Sequence, residues 1–212
     1  MKLMIIACLL LILPPCIAQK NKTTIFKENA DVGNPHIAGS AVFDPELNMY
    51  TLKGSGYNIW FKRDEFQYAY KKIKGDFVLT ANFAFVGEGK DPHRKIGWMV
   101  RESLVDSGVH ISAVAHGDGL TVMQWRVKSG MSMRDPEDEI FAKGKSYGVL
   151  QLERKGNTFI MRVAEREGQP FQIVGEHTMD QLQDKILAGI FICSHNADVL
   201  EEATVWNVEI KE

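Results

Sequence analysis

Residues 96–127 alternate between apolar and polar side chains over three consecutive short runs, and this alternation constrains the fold more than any other feature. In the first run, Trp98 and Arg101 fall on opposite sides of an extended chain, and the runs at 109–116 and 120–127 repeat the pattern. Successive side chains of a β-strand point to opposite faces. We therefore predict three strands with one apolar face in the core and one polar face. The polar face carries the side chains Arg101, His110, His116, Gln124 and Arg126.

The rest of the chain repeats short runs rich in Val, Ile, Phe, Tyr and Thr between clusters of Gly, Asp, Asn and Pro. Helical periodicity is almost absent, so the pattern predicts an all-β antiparallel sandwich or barrel in a single domain, residues 19–212. We expect residues 129–146 to be a long irregular loop and residues 179–184 to be a helical turn. The predicted strands are 41–43, 49–53, 58–61, 67–73, 76–86, 95–102, 109–116, 120–127, 147–155, 158–166, 171–177, 185–194 and 204–209.

The first eighteen residues have the pattern of a secretory signal peptide. Lys2 gives a positive start, and an apolar run at 3–13 follows that is too short to span a bilayer. Two prolines and then small residues favour cleavage after Ala18. We therefore predict an exported protein, periplasmic or extracellular, with no transmembrane segment after cleavage. The alternative is a lipoprotein anchored through Cys16, although the prolines before it fit that signal poorly.

The number of cysteines argues against a disulfide-stabilised fold, and the net charge argues against a nucleic-acid-binding protein. The chain has 3 cysteines, and two of them lie in the predicted signal peptide, so Cys193 has no partner for a disulfide. We expect a buried, inert thiol at Cys193 and a fold held by its core. The 25 Lys and Arg residues are balanced by 27 Asp and Glu residues, a formal net charge of -2. Nucleic acid is therefore a poor candidate partner, because such an interaction needs a clustered positive patch.

The polar face of the three predicted strands is the first candidate site. Arg and Gln side chains present several hydrogen-bonding groups in fixed geometry, which suits the hydroxyls or the carboxylate of a ligand. We predict that Arg101, Gln124 and Arg126 make these hydrogen bonds. The competing interpretation is an ordinary solvated sheet face, which is also polar. The polar set contains no Lys and no Glu, and this favours a site.

Two loops supply candidates for the rim of this site. One lies at 89–95, before the Trp98 strand, and the other lies at 194–198, just after an apolar run. Binding residues concentrate on loops, although Asp, Asn and Pro in both loops could equally form turns. The predicted rim residues are His93, Arg94, His195 and Asn196, with His116 and Asp118 at the end of a neighbouring strand.

Trp60 is the candidate stacking platform for a sugar ring. It follows a flexible segment that contains Gly54 and Gly56, and the flat rings of Tyr57 and Phe61 flank it. The other tryptophans fall on the apolar sides of their strands, so we predict that they lie in the core. They are Trp98, Trp125 and Trp206.

The sequence contains no catalytic or metal-binding motif. A glycosidase needs two carboxyl groups that flank the bond, and no spacing marks such a pair; the nucleophile elbow and the zinc-protease motif are also absent. Several histidines could gather around a metal, but their spacing does not require it. Loop carboxylates at Asp44, Asp91 and Asp118 could hold calcium, without a motif to support this. We predict no cofactor, and whether the chain is an enzyme stays open.

Three segments, residues 91–101, 114–120 and 193–198, resemble an uncharacterised bacterial family that is often appended to TolB-type propeller proteins. That family is similar to the concanavalin A-like lectin and glucanase superfamily. The resemblance extends over residues 31–210 and implies a two-sheet antiparallel jelly roll with a concave face and a link to carbohydrates. It carries no catalytic residues over to this chain. The glucanases use a Glu-x-Asp-x-x-Glu strand that this sequence lacks, so the resemblance favours binding over hydrolysis.

Together these observations predict an exported, lectin-like module that binds a saccharide or a related polyhydroxylated ligand on its concave sheet. One alternative is a carbohydrate-active enzyme, a hydrolase or a lyase, that uses His with Asp or Glu as acid and base. Another is an interaction module whose sheet docks a protein partner. A polar groove with an exposed aromatic ring would favour the lectin-like module. A carboxylate pair near the histidines would favour the enzyme, and an exposed apolar patch would favour the protein-interaction module.

Overall fold

The computed structural model describes residues 23–183 and 185–212, so the predicted signal peptide, residues 1–18, lies outside the described part. The described residues form fourteen β-strands and no helix, and hence no helix that could span a membrane. The strands are β1 (Glu28–Val32), β2 (Ser40–Asp44), β3 (Met49–Gly56), β4 (Phe66–Ile73), β5 (Phe77–Phe85), β6 (Lys95–Arg101), β7 (His110–His116), β8 (Thr121–Arg126), β9 (Glu139–Phe141), β10 (Val149–Lys155), β11 (Thr158–Ala164), β12 (Gln172–Thr178), β13 (Ile186–Cys193) and β14 (Asn196–Lys211).

The strands make two antiparallel sheets of seven strands each. The first sheet has the order β1-β4-β13-β6-β7-β8-β9, and the second has the order β12-β11-β10-β5-β14-β3-β2. This confirms the predicted all-β, two-sheet antiparallel sandwich. In the first sheet, β13 lies between β4 and β6, so residues that are distant in sequence meet on one sheet face.

The strands differ from the predicted ones in four places, one of which is β14, which begins at Asn196 instead of at residue 204. β1 has no predicted counterpart, and β9 lies within residues 129–146, which the sequence predicts to be irregular. Residues 58–61, predicted as a strand, belong to a loop with a single bridge between Ile59 and Asp64. There the Asn58 side chain accepts the Ile59 N–H at 2.8 Å, in place of a ladder partner. At 179–184, the described residues show one hydrogen-bonded turn, with Leu182 N donating to the carbonyl of Met179.

The core between the sheets contains the apolar face that the alternation predicts. Trp98 is fully buried, and its Nε1–H donates to the carbonyl of Leu150 in the opposite sheet at 3.1 Å. The polar tip of the indole is thereby satisfied, so the whole ring can be buried without an unpaired donor. Trp125 also lies in this core. Trp206 does not, because its neighbour Val205 faces the core and Trp206 is half-buried on the outer side of β14.

The opposite face of the first sheet carries a second apolar cluster, which includes Tyr68, Val122 and Phe191. Two loops, residues 57–65 and 127–138, lie over this cluster and are called the covering loops below. Ile59 and Met133 from the two loops pack into the cluster, and the Met133 N–H donates to the carbonyl of Trp60 at 2.8 Å. The polar face predicted from the alternation is therefore partly covered and partly open.

Gly97, in the middle of the first sheet, should not tolerate a side chain. Its φ is 153°, and a Cβ there would overlap with the carbonyl oxygen of Ala113 on the neighbouring strand. We expect Gly97→Ala to lower the free energy of unfolding by about 3 kcal/mol or more, because overpacking and a left-handed backbone each cost about 1–3 kcal/mol. Urea unfolding followed by tryptophan fluorescence measures the change.

The matched control is Gly75→Ala, at an exposed turn. Its φ is 70°, and a Cβ would meet nothing within 4 Å, so only the backbone cost of about 1–2 kcal/mol remains. Equal losses in the two variants would contradict the close strand approach at Gly97.

Candidate functional site

The covered half of the first sheet encloses an ion cluster centred on Asp64. Arg126 donates to both carboxylate oxygens of Asp64, from Nη1 at 2.7 Å and from Nη2 at 2.6 Å. Arg101 Nη1 lies 3.7 Å from the same carboxylate, and His110 Nε2 lies 3.9 Å from it. All four side chains are at most 1% exposed. A bidentate pair of this kind is among the strongest polar contacts in a protein interior.

The remaining donors of the two arginines are also used inside the protein. Arg126 donates from Nε to the carbonyl of Met131 at 2.7 Å and from Nη2 to the carbonyl of Phe61 at 2.6 Å. Arg101 donates from Nε to the carbonyl of Ser103 at 2.5 Å. We therefore revise the prediction that Arg101 and Arg126 bind ligand. Their position on the polar face is as predicted, but both fix the surrounding loops to the sheet.

His110 completes this buried cluster as a neutral imidazole. Neither ring nitrogen has a hydrogen-bond partner within the described residues. Burial, reinforced by the charges of Arg126 and Arg101, lowers the pKa of His110 well below its usual value. The ring therefore stays uncharged at neutral pH and adds no third positive charge to the cluster.

The open half of the same face forms a groove of about 510 Å³. Its floor is made by the sheet, and one wall is made by the covering loop at 57–65. The groove is lined by Tyr57, Asn58, Trp60, Phe61, His93, Lys95, His116, Leu120, Gln124, Glu139, Phe141 and His195.

Lys95 lies in the groove floor, with Cys193 of β13 and His116 of β7 as its partners on the two neighbouring strands. Its Nζ donates to Asn58 Oδ1 and to the carbonyl of His93, each at 3.1 Å. Burial lowers the pKa of Lys95. The thiol of Cys193 is buried beside it, and burial raises the pKa of that thiol to about 11.

Three histidines from separate segments meet at one end of the groove. The ring centroid of His93 lies 5.9 Å from that of His116 and 5.5 Å from that of His195. Burial lowers the pKa of His116 to about 2, and the charge of Lys95 is the second largest cause of this shift. The same two causes lower the pKa of His195, although Asp91, 3.3 Å from its Nδ1, opposes them. His116 and His195 are therefore neutral at pH 7.

Glu139 and a group of aromatic rings form the other end and the rim. Glu139 lies on β9 directly opposite Gln124, and burial, together with the nearby Asp135, raises the pKa of Glu139 to about 7. Tyr57 and Phe61 stack with a centroid separation of 6.0 Å and are 51% and 47% exposed. The groove thus combines a polar floor with exposed flat rings.

The groove brings together five of the residues that the sequence predicts: Trp60, His93, His116, Gln124 and His195. Sequence reasoning missed Lys95, Asn58 and Glu139. Lys95 could have been found, because it has the same parity on β6 as Arg101. Asn58 and Glu139 had no such signal, since one lies in a loop predicted as a strand and the other in a strand predicted as a loop.

The other predicted rim residues lie outside the groove. Arg94 is buried against Glu201, with Nη1 donating to its carboxylate at 2.6 Å. Asp118 accepts the Leu120 N–H at 2.9 Å, and the Asn196 side chain accepts the Asp198 N–H at 3.0 Å. These contacts are a buried ion pair and two local turns, so they account for Arg94, Asp118 and Asn196 without a ligand.

The loop carboxylates proposed for calcium are also used by the backbone. Asp44 accepts the Glu46 N–H at 2.8 Å, and Asp91 accepts the His93 N–H at 2.7 Å. Within residues 23–183 and 185–212, no group of three or more His, Cys, Asp or Glu side chains is arranged to hold a metal ion.

No protein-family model and no curated protein sequence matches this chain. Three solved structures are similar to it at low sequence identity. A functionally unknown protein from Saccharomyces cerevisiae has a TM-score of 0.61 at 13% identity, over 86% of this chain and 95% of that one. The lectin UEA-II complexed with galactose has a TM-score of 0.53 at 9% identity, over 88% of this chain and 98% of that one. A family 7 alginate lyase in complex with product has a TM-score of 0.51 at 8% identity, over 81% of this chain and 82% of that one.

These similarities show the class of the fold. The chain is a concanavalin A-like jelly-roll sandwich, as the resemblance of its three segments implies. At such low identities the likeness extends to the arrangement of strands alone, so the function has to be argued from the groove.

Arg126→Met should strongly destabilise the protein, because it leaves the carboxylate of Asp64 buried without its main partner. Breaking one side of a buried pair costs about 3–5 kcal/mol, and urea unfolding measures this loss. Lys53→Met is the control, since Lys53 is 45% exposed and pairs with Glu202 on the surface, where an ion pair contributes about 0–1 kcal/mol. A loss at Arg126 no larger than that at Lys53 would show that the cluster does not hold the covering loops.

Stability should also fall as the pH is lowered from 7.5 to 5.0. The folded pKa values of His110 and His116 are lowered, so below pH 6.5 the unfolded chain takes up protons that the folded chain does not, and unfolding becomes more favourable. Each such histidine contributes about 2 kcal/mol to this loss, from about 1.4 kcal/mol per pH unit. Glu139 offsets a part of it, because its raised pKa of about 7 lets the folded chain take up a proton in the same range. Urea unfolding at the two pH values measures the total.

His110→Leu should remove one histidine's share of the loss between pH 7.5 and 5.0, whatever its effect on stability at pH 7.5. His36→Leu, at a side chain that is 70% exposed, controls for the substitution itself. If the pH dependence of His110→Leu equals that of the unsubstituted protein, His110 is not a buried neutral group.

Proposed function

We propose that the protein binds a saccharide in the groove on the face of its first sheet that points away from the core. The observation that carries this proposal is the pairing of a polar floor with exposed aromatic rings in a cavity of about 510 Å³. Cavities of this size with a few convergent polar groups are typical of small-ligand sites. The likeness of the fold to a lectin complexed with galactose supports the proposal.

The chemistry of the lining suits sugar hydroxyls, which both donate and accept hydrogen bonds. A neutral imidazole such as that of His116 offers one donor and one acceptor. The Gln124 amide donates to the carbonyl of Ile59 at 3.3 Å, and its oxygen is left as an acceptor. Trp60 and the stacked rings of Tyr57 and Phe61 can cover the apolar C–H face of a pyranose ring. Polar and apolar surfaces of a sugar would therefore each find a partner.

A carbohydrate-active enzyme is the second candidate. The groove holds Glu139, whose pKa of about 7 leaves it partly protonated at neutral pH, together with the imidazole of His195. An acid and a base of this kind are what bond cleavage requires. Shortening of a bound oligosaccharide during incubation, followed by mass spectrometry, would support the enzyme, and intact recovery would support the binding module.

We also propose that the protein is exported to the periplasm or the extracellular space after cleavage behind Ala18. A further part of the proposal is that it is related to the bacterial family that the three segments resemble. Polysaccharides outside the cytoplasm would then be the accessible ligands. N-terminal sequencing of the protein recovered from its producing cells tests the cleavage: a chain that begins at Gln19 supports export, and one that begins at Met1 contradicts it.

Trp60→Ala should weaken binding of a saccharide identified on a glycan array by about tenfold or more, because stacking and ring burial together exceed about 1.4 kcal/mol. Isothermal titration calorimetry measures the affinity. The matched control is Trp206→Ala, on the outer side of β14 away from the groove, which should leave the affinity unchanged. Equal affinities for both variants would place the binding site outside the groove.

A further inference from the structure

We propose that the groove selects an acidic saccharide, with the carboxylate of a uronic acid unit bound between Lys95 Nζ and the imidazole of His116. This inference rests on the proposed saccharide function and specifies its substrate class.

The first observation is the incomplete environment of Lys95. The residue is only 4% exposed, yet both acceptors of its ammonium group, Asn58 Oδ1 and the carbonyl of His93, are neutral. An ammonium group has three donors, so one remains for a ligand. Within the described residues, no carboxylate forms an ion pair with Lys95. A buried charge without a counter-ion is costly, and a bound carboxylate would supply that counter-ion.

The second observation is the position of His116 beside this ammonium group. His116 is the direct partner of Lys95 across β6 and β7, and neither of its ring nitrogens has a partner within the described residues. It is 9% exposed and lines the groove. A neutral imidazole can donate one N–H. The two oxygens of a carboxylate would therefore have two adjacent donors, one from Lys95 and one from His116.

The third observation is that the nearby carboxylates leave the third donor of Lys95 unused. Glu139 lies on β9, three strands from β6, which corresponds to about 14 Å at about 4.8 Å per strand. Asp91 is occupied by the His93 N–H and lies beside His195. A carboxylate at Lys95 would therefore meet two donors; the charge of Asp91 also reaches Lys95, but without an ion pair.

Paired ligands that differ only in charge test this inference on the full chain. Short oligomers of galacturonate, mannuronate, guluronate and glucuronate are each compared with their carboxyl-reduced, neutral forms by isothermal titration calorimetry. We expect at least one acidic oligomer to bind, with its neutral form about tenfold weaker or more. Equal or tighter binding of a neutral form would overturn the acidic preference and leave the saccharide function standing. If a glycan array and all eight oligomers show no binding, the saccharide function itself fails.

Lys95→Met should abolish the preference for the acidic oligomer over its neutral form, whereas Lys95→Arg should keep most of it. Lys90→Met is the matched control, because Lys90 is exposed in the adjacent loop and does not line the groove. If Lys90→Met reduces the preference as much as Lys95→Met, the general charge of the surface is responsible and the inference is wrong. Thermal unfolding checks that each variant is folded, and Lys95→Gln, which keeps an N–H donor for Asn58, replaces Lys95→Met if that variant is not.

Discussion

The buried pair between Asp64 and Arg126 determines which part of the first sheet is open. Asp64 belongs to the covering loop at 57–65, and Arg126 is the last residue of β8, so their bond fixes that loop to the sheet. Arg126 also holds the carbonyls of Phe61 and Met131, and thereby both covering loops. The wall of the groove, with Trp60 at its edge, depends on this attachment. A charged interaction with a structural role thus creates the boundary of the site without contacting it.

The parity of β-strands made much of this architecture predictable. The alternation in residues 96–127 correctly assigned Trp98 and Trp125 to the core and His116 and Gln124 to the opposite face. It also placed Arg101 and Arg126 on the correct face, but a pattern that is local in sequence does not show what covers a face. The partner of Arg126 is 62 residues away, and no spacing rule connects them.

The same limit explains the residues that sequence reasoning missed. Glu139 acquires its position because β9 pairs with β8, and three residues inside an irregular loop give no periodic signal. Arg94 and Asn196 were predicted at the rim because they lie in loops rich in polar residues. The Arg94 side chain donates to the carboxylate of Glu201, a contact that depends on tertiary packing. The Asn196 side chain accepts the Asp198 N–H, a contact within a local turn.

The groove shows how burial can adjust several titratable groups at once. The low dielectric that keeps His116 and His195 neutral also lowers the pKa of Lys95 and raises that of Glu139. These shifts all reduce net charge in the floor, as desolvation requires. Lys95 has two neutral acceptors and no ion-paired carboxylate among the described residues, which is why it dominates the chemistry proposed for the groove.

The position of Cys193 has a practical consequence. Its thiol is fully buried at the end of β13, next to Lys95, and burial raises its pKa to about 11. Alkylating reagents attack the thiolate, so they would modify this residue only when β13 separates from its neighbours. Between residues 23 and 212 it is the single thiol in the sequence. The rate of its alkylation would therefore report local opening of the sheet directly beneath the groove, without any added label.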